Sequence, residues 1–297
     1  MEVDTPVLGR SGATDPHLNH VLCRLAAAAG TDWYLQASPE YFMKRLLAAG
    51  GPDIYQICRV FRDTELGALH QPEFTMIEWY RREFTLQGMW QETCELLSAV
   101  AGPPLAAAEI RCMSYREIFT STTGLDPLNA STQDLASRGR DLLTGQLSDA
   151  LCAELTQDRS ALLDLLMSHV VLPGLGDQGL LVIVNYPAEQ AALARLHPDE
   201  PDVAERFEVF YRGVELANGY RELRDAAEQA ARFERDRLRR RHNGKPDMRP
   251  DPSLLAALEH GLPDCCGVAL GFDRVVMLAL GLADIAEATS FALQDPI

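Results

Sequence analysis

Residues 59–80 of the chain read RVFRDTELGALHQPEFTMIEWY, and the rest of the sequence is organised around this stretch. Residues 54–62 and 74–80 are rich in β-branched and aromatic side chains, and a polar segment separates them. This pattern predicts two antiparallel strands joined by a long loop. Successive side chains of a strand point to opposite faces, so Glu78 and Tyr80 should share one face of the second strand.

Arg62 stands where the first predicted strand ends and the loop begins. Its planar guanidinium can bond two oxygens at once, and it stays charged at any working pH. An arginine held by a sheet and facing a loop that can fold over a ligand suits a triphosphate. An ordinary hairpin with a surface arginine and a half-buried glutamate fits the same pattern, so the residues alone leave both interpretations open.

Three segments resemble, in the right order, the three motifs of the class II aminoacyl-tRNA synthetases. Residues 61–80 resemble motif 2 in its lysine-type form, and residues 267–281, GVALGFDRVVMLALG, resemble motif 3. Residues 2–8, EVDTPVL, resemble the second half of motif 1, with Pro6 as its proline. The resemblance implies an α+β fold in which an antiparallel sheet is flanked by helices.

The resemblance covers nearly the whole chain and implies a single catalytic domain over residues 1–297, a length at which one domain is ordinary. Residues 103–180 are weakly patterned, and we expect helical insertions roughly there. Met1 falls inside the motif 1 segment, so we expect the N-terminal helix and the first half of that motif to be missing from this sequence. Residues 3–8 should form a short strand, and the alanine-rich residues 18–29 a helix.

Five shorter segments are most similar to the short lysyl-tRNA synthetase paralogues that modify elongation factor P. They read SPEYFMKRLL, EFTMIEWYR, NYPAEQAALA, ELANGYREL and CGVALGFDR. The resemblance implies that ATP and Mg²⁺ are the cofactors and that (R)-β-lysine or lysine is activated as an aminoacyl-adenylate. The aminoacyl group would then pass to a lysine side chain of elongation factor P, the protein partner. It also implies a homodimer without a tRNA-reading domain.

The charge balance bears on tRNA as an alternative substrate. The chain has 27 Lys and Arg against 43 Asp and Glu, a net charge of −16 at pH 7. Nucleic acid binding requires Lys and Arg to neutralise phosphates, so a strongly acidic surface opposes it, although a local basic patch remains compatible with this total. No apolar run approaches the ~20 residues of a membrane helix. The N-terminus does not resemble a signal peptide, and the seven cysteines lack metal-type spacing, so we expect a cytoplasmic protein with reduced thiols.

The segment Ser38-Pro39-Glu40 has the composition of a helix N-terminus. Ser38 is expected to cap the helix, with Pro39 in its first turn and Glu40 near its positive end. Glu40 could simply complement the helix dipole, whereas the resemblance implies that it contacts the amino group of the bound amino acid. Lys44 and Arg45 follow on the same helix, and neither is expected to take part in the chemistry.

Residues 207–223, FEVFYRGVELANGYREL, form the second predicted chemical centre. A tight turn at Arg212-Gly213 would put Glu208 and Glu215 on neighbouring strands, where paired carboxylates could hold Mg²⁺. The resemblance implies metal binding by these two residues and binding of the substrate ε-ammonium by Glu222. Taken alone, the stretch would favour three solvated strand carboxylates.

The remaining roles are carried over from the resemblance. It implies that Arg62 binds the α-phosphate and the substrate carboxylate, and that Arg274 binds the outer phosphates, as the catalytic pair. The implied substrate-binding residues are Ser38, Pro39, Glu40, Tyr80, Asn218, Glu222 and Ala269. The implied ATP-binding residues are Arg62, Asp63, Thr64, His70, Gln71, Glu215, Leu216, Gly271 and Arg274.

Three positions depart from the synthetase pattern. Thr64 stands where motif 2 usually has Glu, with Glu65 next to it, and Gln71 stands where Asn is usual. Ala269 replaces a glycine that lysyl-tRNA synthetases usually carry. Its methyl group would either select a displaced amine in the substrate or pack against the following helix.

Residues 232–241 contain six arginines, a run typical of a solvated helix face. The alternative is a docking patch for an acidic partner.

Two other functions remain open from the sequence. One is the catalytic core of a lysyl-tRNA synthetase, and the other is a non-catalytic regulatory paralogue. The latter is disfavoured because the arginines and glutamates of the expected site are all present. No GxGxxG or GxxxxGK[ST] stretch supports a Rossmann or P-loop protein.

Overall fold

A computed structural model describes residues 1–28, 30–102, 105, 109–145, 155–156, 158–175 and 179–293. The strands are β1 Leu8–Gly9, β2 Leu22–Arg24, β3 Asp32–Leu35, β4 Ile54–Phe61, β5 Glu73–Arg82, β6 Ile110–Ser114, β7 Leu180–Pro187, β8 Val203–Tyr211, β9 Val214–Arg221 and β10 Cys265–Gly271. The α-helices are α1 Glu40–Ala48, α2 Leu86–Val100, α3 Tyr115–Thr123, α4 Thr132–Leu142, α5 Arg159–Leu166, α6 Ala226–His242, α7 Pro252–Gly261 and α8 Phe272–Ala279. A π-helical turn, Met167–Val171, continues α5.

The chain divides into two compact units, residues 1–106 with 219–297 and residues 107–218. Strand β9 begins in the second unit and ends in the first. The expectation of a single catalytic domain over residues 1–297 stays a prediction.

The first unit contains the strands predicted from residues 54–62 and 74–80. Strand β4 pairs antiparallel with β5, and β5 pairs antiparallel with β10, whose other neighbour in the sheet is the end of β9. The register sets Gly267 opposite Tyr80 and Ala269 opposite Glu78, so these four residues share one face of the sheet. That face is buried at Glu78 and Tyr80, which each expose 2% of their surface. A second sheet has the order β1–β3–β2.

The second unit is built on strands β6, β7 and β8, followed in the sheet by the start of β9. Strands β7 and β8 are antiparallel, whereas β6 runs parallel to β7. Helices α3, α4 and α5 supply the apolar core against β7, with Phe119, Leu163 and Leu166 wholly buried in it. The α+β class with a mainly antiparallel sheet is confirmed.

The turn between β8 and β9 is as predicted. Arg212 and Gly213 have φ of 51° and 75°, the left-handed values that a two-residue hairpin turn requires. A two-residue loop sets Phe210 opposite Glu215, so Glu208 and Glu215 lie on the same face of neighbouring strands.

Two N-terminal expectations are wrong. Residues 18–29 do not form a helix over their described part, because Leu22–Arg24 pairs antiparallel with Asp32–Leu35 as strand β2. Sheet pairing here overrides the helix propensity of the alanines, of which Ala26–Ala28 form only a single 3₁₀ turn. The strand expected over residues 3–8 is reduced to Leu8–Gly9.

The predicted helical insertions are present, but a strand precedes them. Over residues 103–180 the described part contains β6 as well as α3, α4 and α5. The rest of the predicted region, residues 103–104, 106–108, 146–154, 157 and 176–178, lies outside the described residues.

The arginine run lies on α6, and its expected solvated face is wrong for two members. Arg240 is 1% exposed and donates hydrogen bonds to the carbonyls of Asp15 and Leu18, at 2.8 and 2.7 Å. Arg232 is also buried, and its Nε donates to Glu228 at 2.9 Å. Arg240 therefore links α6 to the N-terminal segment, whereas Arg232 pairs within the helix.

No helix in the described ranges is long and apolar enough to cross a membrane.

Candidate active site

Three carboxylates of the first unit come together from distant parts of the chain. Glu40 is the first residue of α1, Glu78 lies on the buried face of β5, and Glu222 immediately follows β9. The side chain of Glu222 is fully buried and that of Glu40 is 13% exposed. Burying a carboxylate is unfavourable unless it is paired or hydrogen-bonded, so the partners of each one define what the cluster can do.

Lys44 neutralises part of this cluster. Its Nζ lies 2.6 Å from Glu40 Oε1, one helical turn earlier, and 2.6 Å from Glu222 Oε2. Burial lowers the pKa of Lys44, but the carboxylates of Glu222 and Glu40 outweigh this effect and hold that pKa well above its usual range. Lys44 is therefore a charged ammonium at any working pH.

Glu78 has two hydroxyl partners. Ser38 Oγ donates to one of its carboxylate oxygens at 2.7 Å, and Tyr80 Oη donates to the other at 2.6 Å. Burial and the neighbouring charge of Glu40 nevertheless raise the pKa of Glu78 to about 7. The Ser38 hydroxyl also accepts a hydrogen bond from the backbone N–H of Glu40, at 3.0 Å. The helix starts at Glu40 with Pro39 in the capping position, one residue later than predicted.

Glu222 is only partly satisfied. Burial raises its pKa to about 8, helped by Glu40 and Glu78 and opposed by Lys44. In the described part of the chain no group donates a hydrogen bond to its Oε1.

The backbone of β10 makes room for this carboxylate. Gly267 lies where a Cβ would collide with Glu222 Oε1 and with the ring of Tyr80. Only glycine fits this position, because the obstacles are a buried carboxylate and an aromatic ring held by its own hydrogen bond.

The cluster has three carboxylates and one ammonium, so it has two more acidic than basic groups. Glu222 Oε1 has no donor among the described residues, so it can accept a hydrogen bond from a ligand. The chemistry that fits is a ligand with ammonium groups.

Arg62 lies at the start of the 62–72 loop. Its backbone N–H donates to Pro72 O at 2.9 Å, which closes the base of the loop. Its guanidinium lies over the ring of Phe74, 5.1 Å from the centroid, and 3.8 Å from a carboxylate oxygen of Glu65. Its Nε is buried and has no hydrogen-bond partner within the described ranges. An arginine with spare donors at a loop base can receive an anionic ligand.

The first residues of the loop are tied to the N-terminal segment. Asn19 donates its amide to the Thr64 hydroxyl at 2.7 Å and accepts the backbone N–H of Asp63 at 2.9 Å. Thr64 has φ of 65°, a left-handed conformation unusual for a β-branched residue. These contacts hold the loop in one conformation next to Arg62.

Arg274 contacts the other end of the loop. It lies in the first turn of α8, which Gly271 precedes. Its Nε donates to Leu69 O at 3.2 Å, and its Nη2 lies 2.7 Å from His70 Nε2. Gln71 is buried and accepts the backbone N–H of Leu293 at 3.1 Å. The structure thus brings Arg274 and His70 together, as an ATP-binding role for both would require.

The expected metal site lies in the second unit. Arg206, two residues before Glu208 on β8, forms an ion pair with Glu208 and donates to Asn218 Oδ1 at 3.2 Å. It also donates to Gln190 O at 2.6 Å and lies over the ring of Tyr186.

Burial and a neighbouring carboxylate disfavour the ionised form of Glu208. Burial raises the pKa of Glu208 to about 7, and Glu215 adds to the rise while Arg206 opposes it. Two mutually repelling carboxylates on one hairpin face fit a hard cation. Leu216 beside them is buried. Within the described ranges, no group of three or more His, Cys, Asp or Glu side chains could hold a metal. A cation at Glu208 and Glu215 would therefore complete its shell with water and phosphate oxygens.

Three residues of these clusters were not predicted to have a role, namely Lys44, Glu78 and Arg206. The spacing of Glu40 and Lys44, four residues apart on one helix, is the local signal that could have indicated an ion pair. Glu78 shares a face with Tyr80 by strand alternation alone. For Arg206 no local signal separates it from an ordinary strand residue.

The sequence profile of a family described as tRNA synthetases class II (D, K and N) matches residues 1–295. The chain is 44% identical over 298 residues to a protein of Mannheimia succiniciproducens called elongation factor P--(R)-beta-lysine ligase, covering 99% of this chain and 89% of that one. Proteins of the same name from Klebsiella pneumoniae and Pasteurella multocida are 44% and 41% identical over 99% of this chain, and 88% and 89% of their own lengths.

Proposed function

This chain belongs to the class II tRNA synthetases of the D, K and N type, and from that membership we propose that it is an ATP-dependent protein ligase. It activates (R)-β-lysine, or lysine, as an aminoacyl-adenylate and transfers the aminoacyl group to a lysine side chain of elongation factor P. The relatives that cover 99% of the chain are named for that reaction.

The observation that carries the proposal is the buried anionic cluster of Glu40, Glu78 and Glu222 with its single lysine. A diamino acid brings two ammonium groups, which such a cluster pairs. In the proposed binding mode, Glu40 and Glu78 receive the amine near the carboxylate end, beside Ser38 and Pro39. Glu222 and Tyr80 receive the side-chain ammonium, and the orphaned Oε1 of Glu222 accepts a hydrogen bond from it.

The first step is an in-line displacement. A carboxylate oxygen of the amino acid attacks the α-phosphorus of ATP, the new C–O–P bond forms, and the bond to the bridging oxygen of pyrophosphate breaks. The protein supplies no covalent nucleophile, so its contribution is positioning and charge stabilisation. We assign Arg62 to the α-phosphate and the substrate carboxylate, because its guanidinium keeps a buried donor unpaired. Asn218, bonded to Arg206, would support the carboxylate.

The loop and the start of α8 are proposed to bind the rest of the nucleotide. Arg274 binds the outer phosphates, and its contacts to Leu69 and His70 link it to the loop that lies over adenine. The same assignment gives ATP contacts to four loop residues, two residues of β9 and the residue before α8, namely Asp63, Thr64, His70, Gln71, Glu215, Leu216 and Gly271.

Glu208 and Glu215 are proposed to hold Mg²⁺, which when bound would offset the negative charge of the phosphates. The repulsion between these two carboxylates supports the assignment. The role of Arg206 is then to hold Glu208 in place through its ion pair.

In the second step an uncharged lysine amine of elongation factor P attacks the adenylate carbonyl. The C–N bond forms, the C–O bond to AMP breaks, and the amine loses one proton. We propose that the protein works as a homodimer in the cytoplasm and that tRNA is not its acceptor, consistent with its net charge of −16.

Two coupled assays test the proposal. ATP–pyrophosphate exchange is measured with lysine and with (R)-β-lysine, and the labelled amino acid is then offered to elongation factor P and to tRNA. We expect exchange with a diamino acid and label on elongation factor P only. Label on tRNA, or sub-micromolar tRNA binding with a steep salt dependence, would instead identify a lysyl-tRNA synthetase core. Absence of exchange with any amino acid would point to a non-catalytic paralogue.

A further inference from the structure

The buried cluster of Glu40, Glu78, Glu222 and Lys44 is called the amine cluster below. Lys44 is its basic residue, and the proposed reaction assigns no role to it. Its side chain is 2% exposed, and its Nζ contacts two carboxylates that belong to different segments of the chain. Lysine is almost never fully buried unless it is paired, so its two carboxylate partners are what stabilise the ammonium here. The link joins the start of α1 to the residue that follows β9.

We propose that Lys44 is a positioning residue for the diamino acid, with two consequences for the site. Its ammonium fixes Glu40 and Glu222 at a set separation, and it cancels one of the three negative charges of the cluster. With all three carboxylates ionised, as ammonium pairing requires, the pocket then carries two net negative charges, the number that two substrate ammonium groups neutralise. This inference rests on the function proposed above and extends it to how the substrate's charge is selected.

The charged and titratable groups around Lys44 in the described part of the chain fit this count. Those that interact with Lys44 are Glu40 on α1, Glu78 on β5, Tyr220 and Glu222 at and after the end of β9, and Cys265 on β10. Tyr80 on β5 lies beside the three glutamates. Burial raises the pKa of Tyr80 and of the Cys265 thiol well above their usual ranges, so both are uncharged. The cluster therefore counts three acids and one base.

The ion pair of Lys44 with Glu40 differs from an ordinary salt bridge within a helix. On α6 the pair of Glu228 and Arg232 has the same spacing of four residues, with Nε 2.9 Å from the carboxylate, but its glutamate side chain is 39% exposed. Such a pair contributes little beyond helix stability. The second contact of Lys44, to a fully buried Glu222 that is 178 residues away in the chain, has no counterpart in that pair.

The proposal makes a proton-linkage prediction. Glu78 and Glu222 have pKa values of about 7 and about 8, so a part of each is protonated in the ligand-free protein at neutral pH. Pairing with a substrate ammonium requires the ionised form, so binding releases protons and tightens as the pH rises from 6 to 8. Lys44 is the main influence that lowers the pKa of Glu222. Without it, that pKa rises further and more protons must leave.

The experiment compares Lys44→Met with Arg45→Met, the neighbouring basic residue on the same helix. Binding of (R)-β-lysine and lysine is measured by titration calorimetry at pH 6, 7 and 8, in two buffers of different ionisation enthalpy that report protons released. ATP binding and the melting temperature are measured in parallel. We expect Lys44→Met to bind the diamino acid about 100-fold more weakly at pH 7, with more protons released and unchanged ATP affinity. Arg45→Met should match the parent protein.

A purely structural role would lower the melting temperature without changing the protons released or the pH dependence, and that result would overturn the proposal. Should Lys44→Met fail to fold, Lys44→Gln replaces it, because its amide can still donate to both carboxylates without charge. The same outcomes then apply. If the parent protein binds ATP but neither diamino acid, the proposed function fails instead. A parent that binds the diamino acid while the variant binds it equally well rejects the role of Lys44 alone.

Discussion

The two carboxylate clusters of this protein differ in how a basic residue pairs with their buried carboxylates. In the first unit, Lys44 bridges Glu40 and Glu222, and one oxygen of Glu222 is left without a donor in the described part of the chain. In the second unit, Arg206 donates to Glu208, to Asn218 and to a backbone carbonyl. Burial raises the pKa of a carboxylate to about 7 in both, at Glu78 and at Glu208.

The difference lies in what each cluster still lacks. In the first cluster Glu222 Oε1 has no donor among the described residues, and a ligand ammonium would supply one. In the second cluster Arg206 supplies several donors, and the repulsion between Glu208 and Glu215 is what a hard cation would relieve. Under the proposed function, clusters of similar composition bind an organic amine or a metal ion according to the basic residue each contains. The predictions below test that distinction.

Arg62 belongs to neither cluster, so its removal tests whether the clusters suffice for adenylate formation. Arg62→Ala should lower the rate of ATP–pyrophosphate exchange about 1,000-fold, because a bidentate charged contact to the transition state is lost. Arg59→Ala on the preceding strand β4, which removes an exposed arginine paired with Glu73 and, at 4.0 Å, with Asp273, is the control and should exchange normally. Near-normal exchange in Arg62→Ala would reject its assignment.

Glu222→Gln tests the amine cluster. The neutral amide leaves the substrate ammonium without its buried partner, so binding of lysine and (R)-β-lysine should weaken about 100-fold while ATP affinity stays the same. Calorimetric titration with each ligand separates the two effects. Glu92→Gln, which breaks the ion pair with Arg81 outside the cluster, is the control. An equal loss of amino acid and ATP affinity would show that Glu222 is structural or a metal ligand.

Glu208→Gln tests the second cluster in the same way. We expect the Mg²⁺ concentration for half-maximal exchange to rise about 30-fold, since one of two carboxylate ligands is lost, while diamino acid binding does not change. Glu205→Gln on the same strand, whose parent residue pairs with Arg195, is a matched control. If diamino acid binding falls and the Mg²⁺ requirement does not, the roles of the two clusters have been exchanged.

Ala269→Gly should have the smallest effect of these substitutions. It tests whether Ala269 makes the first cluster select (R)-β-lysine over lysine. Ala269 lies opposite Glu78 on the face of the amine cluster and is half-buried. Its methyl group would crowd an α-amino group and leave room for an amine on the β-carbon. The variant should therefore raise exchange with lysine relative to (R)-β-lysine about 10-fold, near the lower end of what one methyl group does in a pocket. A ratio equal to the parent's would mean that Ala269 only packs.

The sequence by itself determined the local elements and most candidate residues. Strands β4 and β5, the hairpin turn at Arg212-Gly213 and the passage from β10 into α8 follow from side-chain alternation and turn chemistry, which act over a few residues. The resemblance to class II synthetases, which the family match confirms, supplied the roles expected of the site residues.

Only the tertiary structure decided which charges are paired. Lys44 carried no signal beyond its spacing from Glu40, and its second partner, Glu222, is far away in the chain. Arg240 was expected on a solvated face and instead bonds the carbonyls of Asp15 and Leu18. Residues 18–29 were expected to be helical, and strand pairing prevailed. For Lys44 and Arg240 burial sets the strength of the interaction, and burial depends on contacts between residues that no local pattern connects.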